Sequence, residues 1–353
     1  MSRERIIERE RRWALPVALS AFLAVILFFA SIPIEQSAVE GTGTAEQLRA
    51  LDQNSGLLIL ANVVRSIGLL LLIPPLYYLF EAARARSAAV RGALVGFVFL
   101  GPVLFAAQNI ASGVATTNIA SDYVQREPEL TVPAPSLEQF LQGVENRPDS
   151  LEQVVLYPDE DALDAERIDG EVFSLNYPSD REESIRNALE AGEVDTDEDT
   201  DGLPGDLAAE NLIDNSDARQ TIAGLLFPAL LAMIVAVVYP TLHAMRVGLL
   251  TRFFGTLGMA IGVAVLFIGL FGLFLWVLAL GLVVLDRWPG GRPPAWAAGE
   301  AVPWPRPGDE PPAQEAADDD EDEDESVKLG AQEENPHAGR RERAKRRKRK
   351  RRS

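Results

Sequence analysis

The chain has 353 residues, 47% of them hydrophobic, and a formal net charge of −19. The averages hide a partition: the apolar residues sit in runs of about 18 to 33 with the charges between them, and about 20 apolar residues suffice to cross a ~30 Å hydrocarbon core. With no cysteine, disulfides, thiolate metal sites and cysteine nucleophiles are excluded.

Residues 1–12 carry five Arg against three Glu and precede Trp13, an interfacial residue type. Residues 13–34 read as the first span. A cleaved signal peptide is the rival reading, with the same basic start and apolar middle. The run is longer than a signal core, and Ile32-Pro33-Ile34-Glu35 lacks a small-residue cleavage site. The span is therefore read as uncleaved, with a cytoplasmic N-terminus. Residues 35–56 form a short acidic external loop. Residues 57–80 are the second span, ending in Pro74-Pro75 and Tyr77-Tyr78, and residues 81–91 are a cytoplasmic loop with three Arg. Residues 92–115 are the third span, with Pro102 as its expected kink.

Residues 116–220 hold 28 Asp or Glu, six Arg and no Lys. A segment this acidic is expected away from the cytoplasm, because short basic loops stay inside. Within it, Ser136 is expected to cap a helix reaching Val144, residues 171–177 alternate like a strand, and residues 180–191 read as a helix capped by Asp180. The apolar content looks thin for an independent core, so packing against the membrane domain is expected to stabilise the insert. Residues 195–206 read as a loop.

Residues 221–242 are the next span. Residues 253–285 are an unbroken apolar run of 33 residues. One helix of that length would be about 50 Å long, so two helices turning near Gly269–Gly272 are expected. Residues 286–305 are rich in Pro and Gly, and Trp288, Trp296 and Trp304 recur every eight residues, which suits the headgroup layer. Residues 306–353 are expected to be a disordered tail, acidic from Asp318 and then basic. The fold class expected is an all-α integral membrane protein. It is a polytopic bundle, six spans favoured over five, with an acidic extracytoplasmic insert and a charged tail.

Four signals bear on chemistry. Arg65 lies inside the second span with Asn62 and Ser66 on its helix face, and Gln108 and Asn109 lie at similar depth in the third. An ionisable residue in a span suggests a functional site; the sharp reading is an outward-facing anion pocket, the plain one a polar clamp. Asp197-x-Asp199-x-Asp201-Gly202 matches the start of a calcium loop. In so acidic a segment it also reads as a solvated loop. Eleven of the thirteen residues from Arg340 to Arg352 are basic, which suits anionic lipid headgroups. Contact with nucleic acid or with the preceding acidic run are rivals, but no aromatic interleaves the block to stack on bases. Gly255, Gly258 and Gly262 suit close helix packing. No phosphate-binding Gly-rich loop, His cluster or intramembrane carboxylate pair occurs, so no enzyme is expected.

Residues 249–262 (LLTRFFGTLGMAIG), followed by DRWPGGRPPAW and GEAVPWP, resemble uncharacterised multi-pass membrane proteins of high-GC Gram-positive bacteria. The resemblance covers the last membrane segment and its exit. It implies a bacterial plasma-membrane location and no activity. Two functions are expected in turn: a non-enzymatic structural, interaction or sensing component, and a small transporter or channel-like protein using Arg65.

Overall fold

The computed structural model describes residues 2–130, 132–199 and 202–305, with backbone alone at 128–130 and at 218 and 219. Asp201 and the charged tail of 306–353 lie outside the described residues. The helices, in chain order, are α1 (Arg3–Gln36), α2 (Thr44–Gln53), α3 (Ser55–Leu70), α4 (Ile73–Arg86), α5 (Val95–Leu130), α6 (Leu137–Asn146), α7 (Glu182–Ala191), α8 (Asp206–Asp214), α9 (Asp217–Arg246), α10 (Arg252–Ile268), α11 (Phe271–Val284) and α12 (Pro294–Ala298). The strands are β1 (Leu151–Tyr157), β2 (Ala162–Arg167), β3 (Val172–Asn176) and β4 (Thr196–Glu198).

Four stretches are long and apolar enough to cross a membrane: Arg3–Gln36, Ser55–Arg86, Gly92–Glu127 and Gln220–Arg246. Each overshoots the apolar run that seeds it. α1 takes in the basic N-terminus, and α5 continues to Leu130, past the expected border at residue 115. Pro102 does not interrupt α5. The second run is instead parted at Leu71 and Leu72, where Pro74 and Pro75 begin a new helix. Proline is accepted there because the first turn has no intrahelical partner for its missing N–H. The expected loop of residues 35–56 also contains α2, whose Ala45, Leu48 and Leu51 are buried on one face.

The apolar run of 253–285 folds as two helices, α10 and α11, both shorter than the four long stretches. The chain turns at Gly269, whose φ of +66° lies in the left-handed region that a Cβ disfavours. The two arms run antiparallel. Trp276 stacks on Phe254 at 5.4 Å between ring centroids, and its Nε1 donates to the Phe254 carbonyl at 3.2 Å. The glycine stripe meets two partners. A Cβ on Gly258 would lie 2.5 Å from Trp276 of α11, and one on Gly255 would lie 2.7 Å from Met245 of α9. Gly258→Leu is expected to cost about 1–3 kcal/mol through overpacking, read as a lower melting temperature in detergent. A variant melting with the wild type would refute the described α10–α11 contact.

Residues 132–199 form a sheet domain, which corrects the all-α expectation for the insert. Its sheet has four strands in the order β3-β2-β1-β4, with β1/β2 and β2/β3 antiparallel and β4 parallel to β1. One face packs Val154, Leu156, Leu163 and Phe173 against Phe140 and Val144 of α6 and Ile185 and Leu189 of α7. The other packs Val155 and Tyr157 against Leu207 and Ala208 of α8. The insert therefore has a core of its own, contrary to the expectation of thin apolar content. β3 and α6 form as expected. Ser136 Oγ accepts from Gln139 N at 3.3 Å, and Gln139 Oε1 accepts from Ser136 N at 3.1 Å, which completes a capping box. Asp180 does not cap α7; it lies in a 3₁₀ turn that leads into the helix. The expected loop of 195–206 supplies β4 and the start of α8.

Candidate functional site

The polar residues singled out within the apolar helices separate into two seams. Asn62 and Ser66 of α3 are buried and face α5. Asn109 Nδ2 donates to the Asn62 carbonyl at 2.9 Å and to Ser66 Oγ at 3.2 Å, and Ser66 Oγ donates to the Ala106 carbonyl at 3.1 Å. Asn62 Nδ2 donates back to the Leu58 carbonyl at 2.9 Å. Gln108, half-buried on α5, is not brought into this set.

Arg65 turns the other way, towards α1. Its Nε donates to Ser31 Oγ at 3.1 Å, and its guanidinium pairs with the Glu35 carboxylate. Ser31 is fully buried, and its hydroxyl also donates to the Phe28 carbonyl at 2.7 Å. The expected pocket between the second and third spans is therefore not assembled: α3 sends its cation to α1, and the Asn62 carbonyl and Ser66 hydroxyl to α5. Each of these groups is hydrogen-bonded within its helix or across to a neighbour, as burial in an apolar setting requires. Sequence reasoning missed Glu35 because it sits at the end of the first span, thirty residues away in the chain.

A second constellation joins the sheet domain to the helices, and it was not foreseen. Asp164 of β2 is fully buried. Its carboxylate accepts from Gly205 N at 2.8 Å, from Leu207 N at 3.3 Å and from the Tyr157 hydroxyl at 3.1 Å. It thus caps the first turn of α8 from the sheet, where the orphan N–H groups and the helix dipole favour an acceptor. Burial pushes its carboxyl above the usual carboxylate range, opposed by hydrogen bonds from Ser174, Gly205, Leu207 and Tyr157. Asp206, also buried, opens α8 and reaches across to α2. Its Oδ1 accepts from Ala45 N at 2.8 Å while Oδ2 accepts from Leu203 N at 2.8 Å. The Thr44 hydroxyl donates to Glu210 Oε1 at 3.3 Å, and burial raises the Glu210 carboxyl as well. Arg49 of α2 closes the chain of contacts, its Nε donating to Glu127 Oε1 of α5 at 3.2 Å. Sheet, α8, α2 and α5 are thereby bonded in series. Beneath them lies an apolar cluster including Leu48, Leu51, Leu58, Ala120, Tyr123 and Ala209.

A polar cleft of about 400 Å³ lies beside this junction, lined by Asp122, Arg126, Glu166 and Asn211 among others. Arg126 pairs with Asp122 at 3.4 Å, and Asn211 Nδ2 donates to Glu166 at 2.8 Å. Here Asp122 holds a guanidinium and Glu166 a side-chain amide, an architectural use of each carboxylate. Of the calcium-like motif, Asp197 lies on the edge strand β4 and accepts from Glu198 N at 2.9 Å, while Asp199 accepts from Gly202 N at 2.9 Å. Among the described residues, no three or more His, Asp or Glu side chains are placed to share a metal ion.

The opposite end of the bundle is closed by residues 286–304, whose tryptophans turn their indoles to the protein. Trp296 is buried and donates from Nε1 to the Leu249 carbonyl at 2.8 Å. Trp304 donates likewise to the Leu250 carbonyl at 2.8 Å. Arg86 of α4 lies beneath them. It pairs with Glu10 of α1 at 2.9 Å from Nη2 to Oε2 and donates to the Ala295 carbonyl of α12 at 3.0 Å. Tyr78 donates from its hydroxyl to the Glu10 carbonyl at 3.0 Å and stacks on Trp296 at 5.6 Å. The chain matches no family model, no curated protein and no solved structure.

Proposed function

We propose that the chain is a non-enzymatic membrane protein in which the sheet domain is an interaction or sensing element and the bundle its anchor. The observation that carries this reading is the junction. The sheet domain is not hung on a flexible linker but bonded through Asp164, Asp206 and the Arg49–Glu127 pair to helices that run on into the apolar bundle. A partner gripping the domain therefore pulls directly on α5. The pairing of Arg65 with Glu35 weighs against the anion-transport alternative, since its charge is already balanced. With the basic residues at the N-terminus and in the loop after α4, this puts the N-terminus in the cytoplasm, the sheet domain outside a bacterial plasma membrane after three spans, and six spans in the chain as a whole. Residues 340–352 then face the anionic lipids of the inner leaflet.

The absence of cysteine makes the test direct. Ile168→Cys, at an exposed position in the β2–β3 turn, is reacted in intact cells with a membrane-impermeant, photoactivatable maleimide. Labelling without lysis and one discrete cross-linked species are expected. Labelling only after lysis would overturn the orientation. Labelling with no cross-linked species, either from Ile168→Cys or from Glu183→Cys on α7, would overturn the interaction role.

A further inference from the structure

A groove of about 560 Å³ opens between α1, α4 and α5 at the end of the bundle far from the sheet domain. Its volume falls within the range of small-molecule sites, about 300–1,000 Å³, but its walls are not those of a polar-ligand site. Trp13, Val17, Ile73, Tyr77 and Phe99 give it aromatic and aliphatic sides. Trp13, Tyr77 and Phe99 are 54%, 41% and 43% exposed, so the groove opens sideways along the bundle rather than through its end. That is the direction from which a hydrocarbon chain would enter.

Three charged residues line the groove, and two are already balanced. Glu10 is held by the buried Arg86, and Glu81 by Arg84 at 3.2 Å. Arg9 makes no ion pair among the described residues, which leaves one uncompensated cation beside an apolar slot. Trp13 and Tyr77 mark the depth at which amphipathic rings settle between headgroups and acyl chains. A cation at that depth faces the phosphate layer. The chain's own tail is an unsuitable occupant: residues 306–353 hold no apolar run, only Pro-rich, acidic and basic stretches.

We propose that this groove binds one acyl chain of an anionic glycerophospholipid from the adjoining leaflet, with the phosphate held by the Arg9 guanidinium. The proposal rests on the membrane reading above but not on the interaction role of the sheet domain, whose cross-linking test is independent of it. The experiment is native mass spectrometry of the full chain extracted from bilayers of equal phosphatidylglycerol and phosphatidylcholine. The wild type is expected to retain phosphatidylglycerol over phosphatidylcholine by at least about fivefold, the contribution of the Arg9 cation alone. Arg9→Gln is expected to lower that ratio about fivefold, and Ile73→Trp, which fills the groove, to remove the retained lipid altogether. Phe99→Trp serves as the second filling variant should Ile73→Trp not elute as a single species. Equal retention of the two lipids, a ratio unchanged by Arg9→Gln, or undiminished lipid in the filled variants would overturn the proposal. So would retention of a free fatty acid in place of a diacyl lipid. A phosphatidylglycerol preference that survives Arg9→Gln would instead assign it to residues 340–352.

Discussion

Arg86→Ala is expected to lower the melting temperature of the detergent-purified protein by roughly 10 °C, the largest effect of any single substitution described above. The reason is asymmetry in the cost of a buried pair. The Arg86 and Glu10 side chains are 0% and 4% exposed. Removing the guanidinium leaves a buried carboxylate without its ion-pair partner, at a cost of about 3–5 kcal/mol. The same substitution removes a donor from the Ala295 and Ala82 carbonyls and one of the two cations at the Trp296 ring, leaving Arg292. Because the pair ties α1, α4 and α12 together, its loss should loosen the closure at residues 286–304 before the rest of the bundle. The double variant Glu10→Met/Arg86→Met separates the pair's net worth from the penalty of leaving half of it behind. It is expected to melt near the wild type, since apolar replacements of both partners commonly restore or raise stability. If Arg86→Ala alone melted like the wild type, Glu10 would have access to water and the buried closure would be wrong.

Asp164→Leu is expected to destabilise the sheet domain by on the order of 3–6 kcal/mol, because several buried donors lose their acceptor at once. Gly205 N, Leu207 N and the Tyr157 hydroxyl all end on this carboxylate, and none can turn to solvent without α8 lifting from β2. Hydrogen exchange should show the loss first in the amides of α8 and β2. Asp164→Asn keeps an acceptor oxygen and should lose far less. The two forms also differ in pH dependence. With the folded carboxyl above its ordinary value of 3.8, the native state keeps a proton that the unfolded chain has released. The wild type therefore loses stability as pH rises from the ordinary Asp value to the raised one, and levels off above it. The wild-type stability minus that of Asp164→Asn should fall across that window. A difference that stays flat or rises with pH would mean that Asp164 is not desolvated as described.

The parts of this fold legible in the sequence are those that a single helix or turn decides. Long apolar runs could become little but helices, a run too long for one helix had to turn near Gly269–Gly272, and Ser136 stood out as the cap of α6. β1 escaped because it is buried on both faces. Val154-Val155-Leu156-Tyr157 shows no alternation to recognise, whereas β3, with the half-buried Ser174 between Phe173 and Leu175, does. The extension of α5 escaped because its buried stripe there is sparse, Ala120 and Tyr123 on an otherwise polar surface. Among the site residues, Asn62, Ser66 and Asn109 did come together, since i and i+4 positions on one helix can meet one neighbour. Arg65 did not join them, because its partner is fixed by how α1 packs on α3, which no local spacing encodes. The carboxylate junction was hidden for the same reason. Asp164, Asp206 and Ala45 come from three distant segments, and within a stretch of 28 carboxylates nothing distinguishes the two that become buried.

The turn at Gly269 has a consequence for the surrounding lipid. α10 and α11 contain 17 and 14 residues, so at about 1.5 Å per residue the arms reach only ~25 Å and ~21 Å, short of a ~30 Å hydrocarbon layer. The tip is not polar enough to sit among headgroups: Phe267, Ile268 and Phe271 are 83%, 63% and 50% exposed. Were α10 and α11 to span a bilayer, those side chains would hold the tip within the acyl region, and the leaflet over the hairpin would dip by several ångströms to meet it, at a fraction of a kcal/mol per ångström. α9, packed against α10, is long enough to cross the full thickness. The bundle would then have a thick side and a thin side, and hydrophobic mismatch would draw shorter-chain lipids to the thin one.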